Sequence, residues 1–451
     1  MHKTLKSMTY QETIDYLFTS APLFQNVGGS AYKEGLYNTY KLDEHFGHPH
    51  QKYKTIHVAG TNGKGSCSHT LAAILQASGL KVGLFTSPHL VDFRERIRVN
   101  GKMVDEQYVI DFVEHHRRFF EPLHPSFFEL TTAMAFRYFA DQEVDVAVVE
   151  VGLGGRLDCT NIIMPEVCVI TNISFDHVAY LGNTLAKIAS EKAGIIKEGV
   201  PVVIGEVVDE TRPVFEQKAK EMNAPIFFAE EENEVLEYRL NEVEGITYQT
   251  INYSFLQGEL GGFCQVKNTA TILCAVSRLR ERGFVLTDEH IRQGFAHVCE
   301  MTGLMGRWQT LQENPRVVCD TGHNIGGFEW IVRQLESVSL KINNVQGRLH
   351  IVFGMVNDKD ISGVLSIMPQ EATYYFCQAN VKRAMPHEEI AQMASVYGLG
   401  GESYPTVQEA YEAALRNAQE RDCIYVGGSS FVVADLLTYL QQKEKESVKK
   451  I

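Results

Sequence analysis

Nowhere in its 451 residues does the chain run apolar for the length a bilayer requires. Its opening, Met1-His2-Lys3-Thr4-Leu5-Lys6, leads into an amphipathic pattern in place of a signal-peptide core. No membrane partner is expected, and a cytoplasmic location follows as the default. C-x-x-C pairs are missing too. The nine cysteines, Cys67, Cys159, Cys168, Cys264, Cys274, Cys299, Cys319, Cys377 and Cys423, are scattered, odd in number and mostly set in apolar runs, which reads as small core residues of a reducing compartment. Positive charge is in short supply: 42 Lys and Arg face 56 Asp and Glu, for a net charge of −14. That balance argues against a nucleic-acid or anionic-membrane partner, though it permits a local basic pocket for phosphates. Internal repeats and low-complexity tracts are absent.

With 44% hydrophobic and 22% charged residues, the composition is that of an ordinary globular protein. The chain exceeds the length at which one core keeps growing, so two domains or three are expected, and the pattern along the chain divides it at 1–300 and 301–451. From about residue 55 to 200, short β-branched runs (Thr55 to Ala59, Lys81 to Thr86, Val144 to Val151) alternate with helical patterns, one from Lys64 to about Ser78 and a long one ending near Ala140. Apolar runs bounded by glycine and separated by helices predict parallel strands with right-handed crossovers, covered on both faces. The acidic Glu230 to Gly245 and the alternating Ile246 to Tyr253 point to antiparallel strands or a surface excursion of the first domain. Met301 to Gly306 is the candidate linker. A second α/β pattern follows through Arg316 to Cys319, Leu349 to Phe353, Ala372 to Cys377 and Cys423 to Val426, and Gln441 to Lys450 is expected to fray. The fold class is therefore α/β: an N-terminal P-loop-type doubly wound domain plus a smaller C-terminal Rossmann-like domain. Ligands of such sheets sit beyond the carboxyl ends of strands, where the Gly60 loop, Ser87-Pro88-His89 and Gly152 to Arg156 all fall.

Three motifs carry chemistry. In Ile56-His57-Val58-Ala59-Gly60-Thr61-Asn62-Gly63-Lys64-Gly65-Ser66, a glycine-rich turn stands between an apolar run and a helix, the layout of a phosphate cradle. Lys64 can reach outer phosphates and Ser66 can hold Mg²⁺. The spacing departs from G-x-x-x-x-G-K-[ST], since Val58 replaces the first glycine and Gly65 separates Lys64 from Ser66; a turn without a ligand is the plain alternative. Second, Glu150 ends an apolar strand before Gly152-Leu153-Gly154-Gly155-Arg156-Leu157-Asp158, where an unpaired charge is costly. Binding Mg²⁺ explains it, and so does pairing with Arg156 or a lysine. Third, Thr171-Asn172-Ile173-Ser174-Phe175-Asp176-His177 leads to Ser190-Glu191-Lys192-Ala193-Gly194. His177 alone reads as a surface residue, and Lys192 as a helix lysine paired with Glu191 or Asp176.

In content and order these motifs resemble the Mur ligase superfamily, which makes amide bonds with ATP, and most closely its folylpolyglutamate synthase and dihydrofolate synthase branch. The resemblance extends over nearly the whole chain. It implies that Gly60, Thr61, Asn62, Gly63, Lys64, Gly65 and Ser66 hold ATP, and that Ser66, Glu150 and His177 help to coordinate magnesium. It also implies a carbamylated Lys192 that ligates a second metal. Gln265 and Asn268 match residues near the adenine, although the histidine that often precedes the glutamine is Cys264 here. Gly306-Arg307 matches a glycine-arginine element, with Arg307 on the phosphates. Asp320-Thr321-Gly322-His323-Asn324 matches an aspartate-glycine-alanine-histidine-asparagine motif, with Thr321 and Gly322 departing from it. The resemblance assigns Asp320 to the ribose or purine and His323 to the phosphate or glutamate side. Asp358-Lys359-Asp360, Arg383-Ala384 and Gly428-Ser429-Ser430 match further elements. Ser87, Pro88 and His89 resemble the family's flexible loop, Phe128 belongs to its apolar wall for a pterin, and Asp158 lies where some members contact dihydropteroate.

By this resemblance the chain is a monomeric ATP-dependent ligase that adds L-glutamate to dihydropteroate and to reduced folates through an acyl phosphate, with Lys64, His177, Lys192, Arg307 and His323 as catalytic groups. The alternatives are chain extension alone, or another Mur-type amino-acid ligase. The roughly 55 residues ahead of Gly60 leave no obvious separate UDP-binding domain, which counts against a peptidoglycan precursor. A nucleotide sensor that has lost ligation is a third reading, opposed by the retention of Glu150, His177 and Lys192.

Overall fold

The computed structural model describes residues 7–20, 35–241, 245–343 and 347–448. Met1 to Lys6, on which the reading of the N-terminus rests, and Lys449 to Ile451 lie outside the described residues. Among those described, no helix is long and apolar enough to cross a membrane.

Eight strands build the first sheet: β1 (Lys54–Ala59), β2 (Val82–Phe85), β3 (Ile97–Val99), β4 (Lys102–Met103), β5 (Val146–Glu150), β6 (Val167–Ile170), β7 (Val202–Ile204) and β8 (Ile226–Phe228). Their order is β4-β3-β2-β5-β1-β6-β7-β8. From β2 to β8 neighbouring strands run parallel, while β3 and β4 pair antiparallel at one edge. Every residue of β2, β5, β6 and β7 is buried, as parallel strands covered on both faces require. Phe85, Phe127, Phe136, Phe139 and Val149 pack in one core, Ile170, Ile196, Val202 and Phe215 in another. The chain leaves β1 for β2 on one side and passes from β5 across β1 to β6 on the other. The carboxyl end of β1 is thus at the switch point, the place where sheets of this kind bind their ligands.

The expected long helix ending near Ala140 is two helices, Glu106–Phe120 and Phe127–Asp141. Pro122 and Pro125 cannot donate backbone hydrogen bonds, and the Ser126/Glu129 capping box starts the second helix afresh.

The described residues fall into two compact units. One carries the residues up to Ile173, His177–Glu234 and Asn268–Gly303; the other carries Ser174–Asp176, Val235–Lys267 and the chain from Leu304. The change at Gly303 falls inside the candidate linker. The segment Val235–Lys267 groups with the second unit, where β9 (Val235–Leu240), β10 (Ile246–Thr250) and β11 (Leu256–Gly258) form an antiparallel sheet. It is therefore not an excursion of the first.

The second unit's larger sheet contains β12 (Gln309–Glu313), β13 (Arg316–Asp320), β14 (Leu349–Phe353), β15 (Thr373–Cys377), β16 (Gly401–Tyr404) and β17 (Cys423–Gly427), in the order β12-β13-β17-β14-β15-β16. All but β12 are parallel. Phe328, Ile351, Phe353 and Tyr425 lie in its core. The Ser430–Val448 helix runs through Gln441 to Val448, where fraying was expected, because Lys, Glu and Gln are good helix formers.

Candidate active site

Gly60 follows β1, and the turn it opens is tied to the residues that follow β6. The Thr61 N–H donates to Asn172 O at 3.0 Å and the Asn62 N–H to Asn172 Oδ1 at 2.9 Å, while Thr171 Oγ1 donates to Asn62 O at 2.5 Å. Gly60 has φ +142°, and a Cβ there would lie 1.9 Å from Thr171 Oγ1. Gly63, at φ +81°, caps the Lys64–Ala77 helix without a side chain, and a Cβ on it would stand 2.3 Å from Asn268 Oδ1. The first-turn N–H groups of a fourteen-residue helix therefore face the turn with no capping side chain over them. This cradle fits a nucleotide phosphate.

Two lysines converge on it. Lys64 Nζ donates to Gly60 O at 3.1 Å and Thr61 O at 3.0 Å, and Lys192 Nζ to Gly60 O at 2.8 Å. Lys192 and Ser66 are buried, as is Glu150, which accepts from the Ser87 N–H at 3.2 Å. Glu150 stands opposite Val58 in the β1–β5 register, two residues short of Gly60. Arg156, one alternative partner for Glu150, is paired with Glu191 at 2.9 Å. His177, at φ +50°, begins the short Val178–Leu181 helix. Among the described residues no three His, Cys, Asp or Glu side chains gather as a metal group. One carboxylate, one hydroxyl and added phosphate oxygens still suit Mg²⁺, which takes oxygen ligands and keeps several waters.

The expected pterin side is aromatic. His89 lies parallel to Phe18, with ring centroids 6.3 Å apart, and its Nδ1 accepts from Arg96 Nε at 2.7 Å. Burial drives the His89 pKa well below the ordinary imidazole range, so the ring is neutral. The Arg96 guanidinium sits over Phe127 at 5.2 Å, and burial lowers its pKa to about 10, against the pull of Glu95 and Glu150. Ser87 and Pro88 are joined by a cis peptide. Phe128 packs against Phe85, and Gly152 leaves it room: a Cβ there would approach the Phe128 ring to 2.4 Å.

Asp158, expected on the pteroate side, is engaged by its own turn. Its Oδ2 accepts from the Leu153 N–H at 2.9 Å, and its Oδ1 accepts from the Thr160 N–H at 3.0 Å and Thr160 Oγ1 at 2.5 Å. The carboxylate thus caps its own turn. Thr160 in turn accepts from His57 Nε2 at 2.8 Å, deep in β1. Burial raises the Asp158 pKa in spite of these bonds.

In the second unit, Asp320 is likewise engaged by backbone: its oxygens accept from the Trp308 and Gly322 N–H groups, each at 2.8 Å. Burial raises its pKa, with Arg307 opposing. Arg307 donates to Thr321 Oγ1, and to Gly306 O at 3.2 Å. His323 faces acceptors at both ring nitrogens, Thr321 O at 3.1 Å and Asp176 Oδ2 at 3.2 Å. The ring makes both bonds only when both nitrogens carry protons. Asn324 Nδ2 also donates to Asp176 Oδ2 at 3.2 Å, and Lys359 pairs with Asp176 Oδ1.

The structure thus gathers Gly60 to Ser66, Glu150, Lys192 and Asn268 in one unit, and Arg307, Asp320 and His323 in the other. Sequence reasoning left out Thr171, Asn172, Asp176 and Lys359 as site residues although they stand inside the motifs it used. Arg96 carried no signal, since a buried arginine reads like a solvated one in sequence.

Residues 58–276 match the Mur ligase middle domain, and residues 306–430 the Mur ligase glutamate ligase domain. The chain is 31% identical to the dihydrofolate synthase/folylpolyglutamate synthase of Bacillus subtilis, over 90% of this chain and 94% of that one. It is 32% identical to a probable bifunctional folylpolyglutamate synthase/dihydropteroate synthase of Haloferax volcanii, covering 96% of this chain but only 50% of that longer one. Escherichia coli FolC in complex with DHPP and ADP superposes with a TM-score of 0.81 at 29% identity, covering 97% of this chain and 99% of that one. A bifunctional folylpolyglutamate synthase/dihydrofolate synthase of Yersinia pestis complexed with AMPPNP and Mn ion gives 0.78 at 28% identity, covering 96% and 98%.

Proposed function

Because this chain belongs to the folylpolyglutamate synthase and dihydrofolate synthase branch of the Mur ligases, we propose that it is an ATP-dependent ligase joining L-glutamate to dihydropteroate and to reduced folates. The observation that carries this reading is the cradle: the glycine turn, the uncapped helix start, Lys64 and Lys192 converge at the end of β1, beside a buried Glu150. ATP supplies the phosphoryl group that converts the pteroyl carboxylate into an acyl phosphate; Ser66, Glu150 and His177 would hold Mg²⁺, which would supply positive charge to the phosphate oxygens.

The chain's own residues do the rest. The backbone from Gly60 to Ser66 fixes the phosphates, and Lys64 leaves the carbonyls it now caps to follow the outer phosphate. Asn268 stays against Gly63 beside the nucleotide. Arg307 adds a permanent positive charge to the phosphoryl group, while Asp320 holds the N–H groups of Trp308 and Gly322. Ser87, Pro88, His89 and Phe128, with Arg96 behind His89, hold the flat pterin by stacking and a few polar contacts. Glutamate's amine then attacks the acyl carbon and phosphate departs, with His323 on the phosphate or glutamate side. Lys192, buried with its Nζ against Gly60 O, is assigned a carbamate, which would exchange its positive charge for oxygen ligands to a second metal. The enzyme is assigned to the cytoplasm, as a monomer.

Purified protein given ATP, Mg²⁺, L-glutamate and either dihydropteroate or a reduced folate is expected to release ADP and the glutamyl conjugate with both acceptors. Conjugate from the reduced folate alone reduces the activity to chain extension; ADP and conjugate from neither end the proposal.

A further inference from the structure

The His89 ring carries a direction as well as a stacking face. Arg96 Nε donates to its Nδ1 at 2.7 Å. A guanidinium has N–H donors and no acceptor, so Nδ1 must present its lone pair and holds no proton. Burial keeps the ring neutral, and the Arg96 charge acts in the same sense against a weaker pull from Asp92. A neutral imidazole has one proton, and here it is on Nε2.

The surroundings leave this arrangement little freedom. Arg96 is 3% exposed, with its guanidinium over the Phe127 ring, and it keeps its charge below about pH 10. The chain next to His89 is held too: Glu95 accepts from the Leu90, Val91 and Asp92 N–H groups at 2.8, 2.9 and 2.8 Å, and Tyr10 Oη donates to Asp92 Oδ1 at 2.8 Å. The Phe18 ring lies parallel to the imidazole and Phe93 stands edge-on to it. Nε2 is engaged differently. It has no protein acceptor among the described residues, yet His89 is only half-buried and Nε2 is not sealed from solvent. A fixed donor that meets no protein acceptor and can be reached from outside is a recognition group. It favours a lone pair and rejects another N–H.

We propose that Arg96 is a positioning residue that fixes His89 as the Nε2–H tautomer, and that this N–H donates to a lone pair on the edge of the pteroyl substrate's ring, an oxygen or an unprotonated nitrogen. Stacking on Phe128 holds any flat ring; the His89 donor adds a choice by hydrogen-bond polarity. The tautomer stands on geometry alone. Its use by a pteroyl ring rests on the proposed function.

Two amides separate the roles of the two ring nitrogens, because an asparagine oxygen stands near the place of Nδ1 and a glutamine nitrogen near the place of Nε2. His89→Gln, which keeps the outward donor, is expected to hold the KM for dihydropteroate or a reduced folate within about threefold of the unaltered enzyme. His89→Asn, which keeps only the acceptor for Arg96, is expected to raise it about tenfold, with the KM for ATP little changed in both. If the Arg96 contact merely packs the loop, the order reverses, and that result overturns the proposal. Arg96→Met leaves an apolar stem over Phe127 and no donor, and is expected to raise the same KM about tenfold with kcat little changed; an unaltered KM overturns it. Nitrogen-15 NMR of the histidine-labelled full chain, with the His89 signals identified by their absence from His89→Gln, is expected to show a protonated Nε2 and a bare Nδ1, and a shift at Nε2 when dihydropteroate is added without ATP. A proton on Nδ1 overturns the tautomer, and no shift at Nε2 overturns the donor. Absence of ligation with Nε2 protonated and shifted by dihydropteroate strikes the proposed function alone.

Discussion

At Gly60 the site depends on the absence of one carbon atom. Thr171 Oγ1 fills the place a Cβ would take and donates to Asn62, so Gly60→Ala must displace the contact that shapes the turn. The positive φ adds strain, and a cost of about 2–3 kcal/mol is expected, with a fall in kcat/KM for ATP that exceeds the fall in thermal stability. Parallel thermal melts and initial rates check it. His57 makes a different kind of prediction. Burial, with a smaller contribution from Lys197, lowers its pKa from 6.5 to about 3. Below about pH 6.5 the unfolded chain takes up a proton that the folded chain refuses. The stability this group contributes is therefore complete above pH 6.5 and is lost as the pH falls toward about 3, at about 1.4 kcal/mol per pH unit. His57→Leu should flatten that slope, measured by urea unfolding at about pH 6 and about pH 4.5; an unchanged slope refutes the neutral buried imidazole.

Among the elements, the helix Phe127–Asp141 and the loop after β5 meet at Phe128 and Gly152, the side proposed to hold the pterin. Gly152 exists to admit Phe128, so Gly152→Ala pushes that ring aside. The expected result is a several-fold higher KM for the pteroyl substrate with the KM for ATP nearly unchanged, since the cradle lies on another loop; a change confined to ATP contradicts the wall. Ser126→Ala removes the hydroxyl that accepts from the Glu129 N–H and should cost about 1 kcal/mol, seen as a lower melting temperature with little kinetic effect. The parallel strands were legible because burial on both faces leaves near-continuous apolar runs, as in Val146–Glu150. The helix break at Pro122 was written in the sequence as well, but the apolar residues on both sides continued the helical pattern and hid it.

For the molecule as a whole, charge sets the partners. A net charge of −14 predicts no retention on anionic lipid vesicles or duplex DNA at about 0.15 M salt, testable by co-sedimentation and gel shift. Chelation with EDTA should abolish ligation, and added Mg²⁺ should restore it, with the melting temperature little moved. Among the described residues no three ionisable ligands gather, so a Mg²⁺ on the proposed Ser66, Glu150 and His177 would draw its remaining ligands from nucleotide and water. Metal binding without nucleotide, followed by calorimetry, should accordingly be weak.

What the sequence determined by itself was the local order of chemistry: a glycine turn before a helix, a carboxylate closing an apolar strand, and lysine and histidine motifs in a fixed succession. Those are properties of neighbours along the chain, and a pattern of side chains suffices to state them. Tertiary structure alone decided that Lys192 shares the Gly60 carbonyl with Lys64, that Asp158 and Asp320 turn their oxygens to backbone N–H groups, and that Arg96 lies buried under His89. It also decided that the Val235–Lys267 segment groups with the second unit. Each of these rests on contacts between residues far apart in sequence, or on which way a carboxylate's lone pairs point, and neither leaves a periodicity or a spacing to read.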